Sequence, residues 1–332
     1  MGTSAVFGLG SPDPVLAADV RAGLTAVEAM LRESVKSEYP FVTETSRHLL
    51  DAGGKRFRPL LVLLAAQFGD PGAPGVVPAA VAIELTHLST LYHDDVMDEA
   101  PLRRSAPSAN ARWDNTVAIL TGDFLFARAS EITADLGTEP TRILARTIAV
   151  LCEGQIRETM GPGEGQDPVA HYLRVVAEKT GALIATSTRL GALLAGADDR
   201  TVEALTRYGE RIGVAFQLSD DLLDVASDVA ESGKTPGTDL REGVPTLPVL
   251  LALRATDPGD EPLRRLLRGD LTDDARHAQA LGLLRAHPAM TQARATVREW
   301  AGEARAALAA LPAIAAKAAL ESLCDYVTSR TG

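Results

Sequence analysis

The stretch Glu84-Leu-Thr-His-Leu-Ser-Thr-Leu-Tyr-His-Asp-Asp-Val-Met-Asp98 is an apolar run that ends in three aspartates. In a helix, Asp94 and Asp98 stand one turn apart on one face, and Asp95 lies about 100° round from Asp94. Like charges at this spacing destabilise a helix unless a cation lies among them. Carboxylates suit Mg²⁺, which completes its coordination with water and phosphate oxygens. The stretch therefore predicts a buried helix with a magnesium site at its end, against the alternative of a solvated acidic helix end.

The same pattern recurs in Phe216-Gln-Leu-Ser-Asp-Asp-Leu-Leu-Asp224, where three aspartates close a second apolar helix. Two such helix ends facing each other would form a carboxylate-lined mouth that holds divalent ions and a diphosphate. Chance does not account well for the recurrence. The candidate metal ligands are Asp94, Asp98, Asp220 and Asp224.

The composition favours packed helices, because 46% of the 332 residues are hydrophobic and only 4% are aromatic. The net charge of -11 argues against a nucleic-acid partner bound through general electrostatics. No apolar segment is long enough for a transmembrane helix, and the N-terminus lacks the pattern of a signal peptide. We therefore expect a soluble, cytoplasmic, all-α protein.

Residues 1–14, with three glycines, two prolines and two serines, predict a flexible N-terminal arm. Helical periodicity continues from residue 15 to the end, and no shift in composition marks a domain boundary. We therefore predict a single all-helical domain over residues 15–332.

A basic segment, Gly53-Gly-Lys-Arg-Phe-Arg-Pro59, lies between two predicted helices. The glycines end the first helix, and the three cations lie at the start of the next, where free backbone N–H groups also attract anions. In a chain of negative net charge, an anionic ligand needs such a local cationic site.

Together these segments resemble the trans-type isoprenyl diphosphate synthases, also called polyprenyl synthetases. One Asp-Asp-x-x-Asp motif is a weak signal, but the ordered set covers most of the chain and is highly specific. The matching residues are Gly53–Pro59, His87, Asp94–Asp98, Arg103, Arg104, Lys179, Thr180, Phe216, Gln217, Asp220–Asp224, Gly233 and Lys234. The resemblance implies a large helical bundle around a central cavity, and a homodimer.

The resemblance also implies the roles of these residues. Both aspartate clusters would bind Mg²⁺ on the diphosphate of an allylic substrate, whose C–O bond breaks, and the double bond of isopentenyl diphosphate would attack the resulting cation. The implied catalytic residues are Asp94, Asp95, Asp98, Lys179, Asp220, Asp221 and Lys234. Arg103, Thr180 and Gln217 are implied to bind substrate, with Arg103 at the allylic diphosphate. Lys55, Arg58, His87 and Arg104 are implied to hold isopentenyl diphosphate.

Ser89 and Thr90 precede the first aspartate by five and four residues, about one helical turn. In the family, a bulky aromatic residue there stops elongation early, and both residues here are small. We therefore expect a long all-trans product, between heptaprenyl and decaprenyl, made from farnesyl or geranylgeranyl diphosphate. By analogy its destination would be a respiratory quinone. The alternative is a shorter farnesyl or geranylgeranyl product, with a floor supplied by Phe124 or Phe126.

Two positions depart from the family pattern. Val244 stands where a lysine is common, which removes one phosphate contact, and Ser105 replaces a glycine after the two arginines. Two other functions compete with a synthase. A class I terpene cyclase would not need the basic segment, because it binds one diphosphate. A non-catalytic synthase subunit would be expected to have lost carboxylates, and this chain keeps both clusters.

Overall fold

A computed structural model describes residues 13–226 and 236–330 of the chain. These residues form two compact units. The first comprises the chain up to Ala149, with Leu183–Gly209 and Ala310–Leu320. The second comprises Val150–Ala182, Glu210–Ala309 and the chain from Glu321 onward. The single domain expected over 15–332 stays a prediction.

The described residues are mostly helical and only four of them lie in strands, so the all-α prediction is confirmed. Its α-helices are α1 Pro14–Ser34, α2 Pro40–Asp51, α3 Phe57–Ala66, α4 Val76–Met97, α5 Ala109–Arg112, α6 Asn115–Leu136, α7 Thr138–Met160, α8 Pro168–Val176, α9 Ala182–Leu194, α10 Asp199–Ala226, α11 Thr238–Glu242, α12 Leu247–Arg254, α13 Glu261–Leu267, α14 Asp274–Ala286, α15 Pro288–Ala307 and α16 Ala315–Ser329. A π-helix spans Ala177–Gly181, and a 3₁₀ turn spans Pro258–Asp260. Two short antiparallel strands, β1 Leu102–Arg103 and β2 Ala106–Pro107, follow α4.

The predicted N-terminal arm falls mostly on residues 1–12, which lie outside the described residues. Its last two residues belong to the start of α1. The Asp13 carboxylate accepts the backbone N–H groups of Val15 and Leu16, and Pro14 occupies the first helical turn. Both features are favourable at a helix N-terminus. The helix therefore begins at the end of the arm that we predicted.

Helix α4 is the centre of the first unit. Every residue from Ala79 to Thr86 is buried, as expected for a helix that is apolar on all sides. It packs against α6, α3 and α1. His87 is part-exposed, and so are Thr90, Leu91 and Asp94, which lie three, four and seven residues after it. These residues form one stripe on α4, and the stripe leads to Asp98.

In the second unit, α12 packs against α8 and α15, and α11 contacts α14. The pattern from His171 to Leu194 predicts one long helix, and the chain is helical throughout that range, with α8, the π-helix and α9 following one another without a break. No described helix is long and apolar enough to cross a membrane.

Candidate active site

In the first unit, the three aspartates at the end of α4 have different surroundings. Asp94 is part-exposed, and Asp98 caps the helix and is exposed. Asp95 is fully buried, and its Oδ1 accepts a 2.6 Å hydrogen bond from Nε of Arg103. Burial raises the pKa of Asp95, and the bond from Arg103 opposes that effect. Asp94 and Asp98 are thus accessible at the end of α4, whereas Asp95 is buried and holds Arg103.

Arg103 ends β1, directly before a tight turn to β2. Arg104 and Ser105 both have positive φ, at 53° and 62°. Ser105 therefore adopts the left-handed backbone conformation, which glycine accepts most readily. This agrees with the family pattern, in which glycine is the usual residue at this position. The turn sends Arg104 back toward α2, where its Nη1 donates to the carbonyl of Leu49 over 2.7 Å and to the carbonyl of Gly53.

Arg104 lies within a cluster that also contains Arg58 and His87. Burial lowers the pKa of Arg58 to about 10 and also lowers the pKa of Arg104, while the buried carboxylate of Glu84 favours the charge on both. Both arginines stay charged at neutral pH. Burial, and then Arg58, Arg104 and neighbouring arginines, lower the pKa of His87 well below its ordinary value. His87 is therefore neutral and can donate one hydrogen bond without adding charge.

Nε of Arg58 is buried and has no hydrogen-bond partner among the described residues. A buried polar atom without a partner is costly, so such an atom in a native protein needs an explanation. Lys55 is exposed at the edge of the same segment. Three of the four residues expected to hold isopentenyl diphosphate thus lie in one cationic cluster, and an anion there could accept hydrogen bonds from them.

Ser89 and Thr90 point to different sides of α4. Ser89 is buried and donates a 2.8 Å hydrogen bond to the carbonyl of Gly122 on α6. Thr90 is part-exposed on the stripe that carries His87 and Asp94, and its hydroxyl donates to the carbonyl of His87. Only Thr90 therefore shares a face with the aspartates.

In the second unit, the end of α10 carries Asp221, which is 5% exposed. Its carboxylate accepts hydrogen bonds from the hydroxyl of Tyr172 and, over 2.9 Å, from Nε2 of Gln217. Burial raises the pKa of Asp221 to about 6, and the charges of Asp220 and Asp224 add to the rise. Burial and Asp221 raise the pKa of Tyr172 well above its ordinary value, so the phenol remains the donor.

The other two aspartates of this cluster have different partners. Asp220 pairs with Arg330 over 2.7 Å. The carboxylate of Asp224 accepts the backbone N–H groups of Thr238 and Asp239, each over 3.1 Å. All three carboxylates are therefore oriented by protein groups.

The π-helix places Lys179 and Thr180. Thr180 donates a 3.1 Å hydrogen bond to Oε1 of Gln217, which links it to Asp221. Lys179 pairs with Glu158 on α7. Single π turns within α-helices often occur at functional sites. Gln217, Thr180 and Asp221 thus form one connected group, as their common assignment to a site would require.

Lys234 lies outside the described residues. Val244 is 40% exposed after α11, and its backbone N–H donates to the carbonyl of Asp239.

The two carboxylate pairs fit Mg²⁺ in donor type. Within residues 13–226 and 236–330, no three Asp, Glu, His or Cys side chains come together to enclose a metal ion. Mg²⁺ does not need such a cage, because it usually takes one or two carboxylates and fills its remaining positions with water and substrate phosphates. Asp94 with Asp98, and Asp220 with Asp224, remain the predicted ligands.

Sequence analysis missed three participants. Tyr172 and Arg330 lie far along the chain from the aspartates that they contact, and no motif marks them. Glu84 is the first residue of the stretch that we quoted, but nothing in its local pattern shows that it is 2% exposed beside arginines. The one sequence signal for Glu84 is its place as an acidic residue within an apolar helix, where a buried carboxylate needs a cationic partner.

Comparison with known proteins identifies the family. The polyprenyl synthetase family model matches residues 39–284. A Mycobacterium tuberculosis (strain ATCC 25618 / H37Rv) protein named nonaprenyl diphosphate synthase is 50% identical over 98% of this chain and 98% of its own length.

Solved structures with a similar fold point to the same family. The geranylgeranyl pyrophosphate synthase of Corynebacterium glutamicum, in complex with calcium and isoprenyl diphosphate, matches with a TM-score of 0.87 and 45% identity, over 96% of this chain and 98% of that one. A decaprenyl diphosphate synthase of Rhodobacter capsulatus matches with a TM-score of 0.87 and 38% identity, over the same shares. The chain therefore belongs to the polyprenyl synthetase family of prenyltransferases, as the ordered motifs predicted.

Proposed function

We propose that the protein is a Mg²⁺-dependent trans-prenyltransferase that condenses isopentenyl diphosphate with farnesyl or geranylgeranyl diphosphate. One observation carries the proposal. The stripe on α4 leads from His87, beside Arg58 and Arg104, to the carboxylates of Asp94 and Asp98. His87 and Asp94 are seven residues apart, about 10 Å along a helix. One helix therefore contributes both to this cationic cluster and to a predicted metal site, as two diphosphates require.

The two diphosphates have different needs. In the proposed reaction the allylic C–O bond breaks, the double bond of isopentenyl diphosphate forms the new C–C bond, and the product loses a proton. Mg²⁺ held by the aspartates would neutralise the charge that develops on the departing pyrophosphate. Arg103, fixed by Asp95, and Lys179 are the cations proposed to bind those oxygens.

The second diphosphate stays on the product and needs only a fixed position. Arg58 and Arg104 offer planar guanidinium groups that match phosphate oxygens. His87 offers an uncharged donor, because its pKa is far below neutrality. We assign these three, with Lys55, to isopentenyl diphosphate.

A product longer than geranylgeranyl, between heptaprenyl and decaprenyl, is proposed from the small residues at positions 89 and 90. The similarity to a nonaprenyl and a decaprenyl synthase supports it. The similarity to a geranylgeranyl synthase supports the shorter alternative. The use of the product in a quinone, a cytoplasmic location and the facing of the two aspartate clusters stay predictions.

We also propose a homodimer. In the first unit, Ile119 and Leu120 on α6 are 42% and 61% exposed, which is high for large apolar side chains. Ile119 and Leu120 are adjacent in the chain, and neighbouring exposed apolar side chains, unlike single ones, support a protein contact surface.

The test is an incorporation assay with purified protein, labelled isopentenyl diphosphate, Mg²⁺ and each allylic primer in turn, with product length read by mass spectrometry. We expect a ladder that ends beyond geranylgeranyl and disappears with EDTA. Asp94→Asn should lower kcat on the order of a hundredfold or more, because the metal loses a ligand. Asp135→Asn, on the exposed side of α6, is the matched control.

A ladder that ends at farnesyl or geranylgeranyl would keep the condensation and overturn the long product. No incorporation with any primer would overturn the enzyme and favour a non-catalytic subunit.

A further inference from the structure

A buried arginine, Arg56, anchors the basic segment Gly53–Pro59 to the surrounding helices. Arg56 is 6% exposed, and all three of its guanidinium nitrogens donate hydrogen bonds within the first unit. Nε binds Glu28 on α1, and Nη1 binds Oε1 of Glu84 on α4 over 3.1 Å. Nη2 binds the carbonyl of Leu50 on α2 over 3.1 Å. One side chain therefore ties the segment to three helices.

The backbone at Arg56 explains why the segment needs such an anchor. Its φ of 51° lies in the left-handed region, which is unfavourable for a residue with a side chain. Such a conformation persists only where its surroundings impose it, and it recurs at ligand sites. Here it lies directly before α3, so it sets the direction in which that helix starts.

The neighbours of Arg56 are two residues assigned above to isopentenyl diphosphate. Lys55 precedes it and is exposed, and Arg58 follows two residues later in the first turn of α3. Nε of Arg58 has no partner among the described residues. The geometry of this segment therefore decides where both cations lie.

We propose that Arg56 is a positioning residue for the diphosphate of isopentenyl diphosphate. It does not touch the ligand, because its side chain is 5% exposed and each of its guanidinium nitrogens already donates to a protein group, namely Glu28, Glu84 or the carbonyls of Leu50 and Gly53. It acts by holding the left-handed backbone, and through it Lys55 and Arg58, in the geometry that one diphosphate needs. The inference rests on the proposed function.

The decisive variant is Arg56→Lys, which keeps the charge but cannot reach Glu28, Glu84 and the Leu50 carbonyl at once. We expect the KM for isopentenyl diphosphate to rise on the order of tenfold or more, since small misplacements of binding groups have effects of this size. The KM for farnesyl diphosphate should change less than twofold. Arg47→Gln is the matched control, because Arg47 is an exposed arginine on α2 paired with Asp51, and it should leave both KM values unchanged.

A purely structural role predicts another pattern, in which both KM values change together or only the unfolding temperature falls. Either pattern, or a folded Arg56→Lys with an unchanged KM, would overturn the inference. If Arg56→Lys does not fold, Glu28→Gln decides. It replaces the charge-assisted hydrogen bond at the part-exposed edge of the network by a weaker neutral one, so the KM for isopentenyl diphosphate should rise roughly threefold. An unchanged KM would overturn the inference.

Failure of the proposed function is visible separately, because the wild type would then incorporate no isopentenyl diphosphate. Calorimetric binding of inorganic pyrophosphate without Mg²⁺ still tests Arg56 in that case. Weaker binding to Arg56→Lys than to the wild type and Arg47→Gln would support its role in positioning an anion site, and equal binding would refute it.

Discussion

At the scale of single residues, Asp221 shows how burial changes a carboxylate in a predicted site. Its pKa of about 6 lies above the ordinary value of 3.8, with burial as the main cause. The folded protein therefore holds this proton more tightly than the unfolded chain does. The resulting stabilisation is fully present below pH 3.8 and is lost as the pH rises through about 6.

We therefore expect Asp221→Asn to stabilise the metal-free protein at pH 7.5. The gain has an upper limit of about 3 kcal/mol, since one pKa unit corresponds to about 1.4 kcal/mol. The gain should shrink as the pH falls from about 7 to 4. Chemical denaturation with EDTA across this range measures it.

Asp198→Asn provides a contrast. Backbone N–H bonding from Thr201 lowers the pKa of Asp198 at the start of α10. Its contribution to stability is therefore present above the ordinary pKa and is lost at lower pH, which is the opposite sign. A pH-independent effect of Asp221→Asn would contradict our account of Asp221.

At the scale of elements, the two faces of α4 separate packing from function. Ser89 faces α6, where its hydroxyl meets the carbonyl of Gly122, and Thr90 lies on the stripe with His87 and Asp94. Both residues are small, so sequence alone could not distinguish their roles. The direction of each side chain on the helix makes the distinction.

A bulky residue should consequently act differently at the two positions. We expect Thr90→Phe to shorten the longest product with little loss of stability, because it adds bulk on the face that carries Asp94. Ser89→Phe should destabilise the protein by about 1–3 kcal/mol or more, because it overpacks the contact between α4 and α6. Product mass spectrometry and denaturant unfolding of both variants measure these effects.

Thr90→Val serves as the control of similar size, and its product spectrum should match that of the wild type. A folded Ser89→Phe that shortens the product, beside a Thr90→Phe that does not, would reverse the assignment.

At the scale of the whole molecule, the proposed homodimer can be tested by measuring the mass of the protein in solution. We expect the wild type to sediment at twice the mass of one chain. Leu120→Glu should shift it toward the monomer, because a charge buried in an apolar contact lacks a partner.

Val15→Glu is the matched control, since Val15 is a single exposed apolar side chain at the start of α1, which is normal on a protein surface, and it should tolerate a charge. If the dimer dissociates in both variants, or in neither, α6 is not the contact surface. Sedimentation velocity at several protein concentrations distinguishes these outcomes.

The sequence by itself determined the helical class, the two aspartate motifs, the basic segment and the family. These features are readable because helical periodicity and motif spacing are local properties of the chain. Residue types at fixed offsets also limit the chemistry, so carboxylates at apolar helix ends predicted divalent metal before any fold was known.

Only the tertiary structure decided how each site residue is held. Asp95 binds Arg103, Asp221 binds Tyr172, and Arg56 binds Glu28 and Glu84. The Asp221 and Arg56 contacts join residues 28 to 49 positions apart in the chain, and no local pattern encodes them. Burial sets the pKa of each group, and it depends on the packing of all neighbouring helices. The sequence therefore named the chemistry, and the packing assigned each side chain its role.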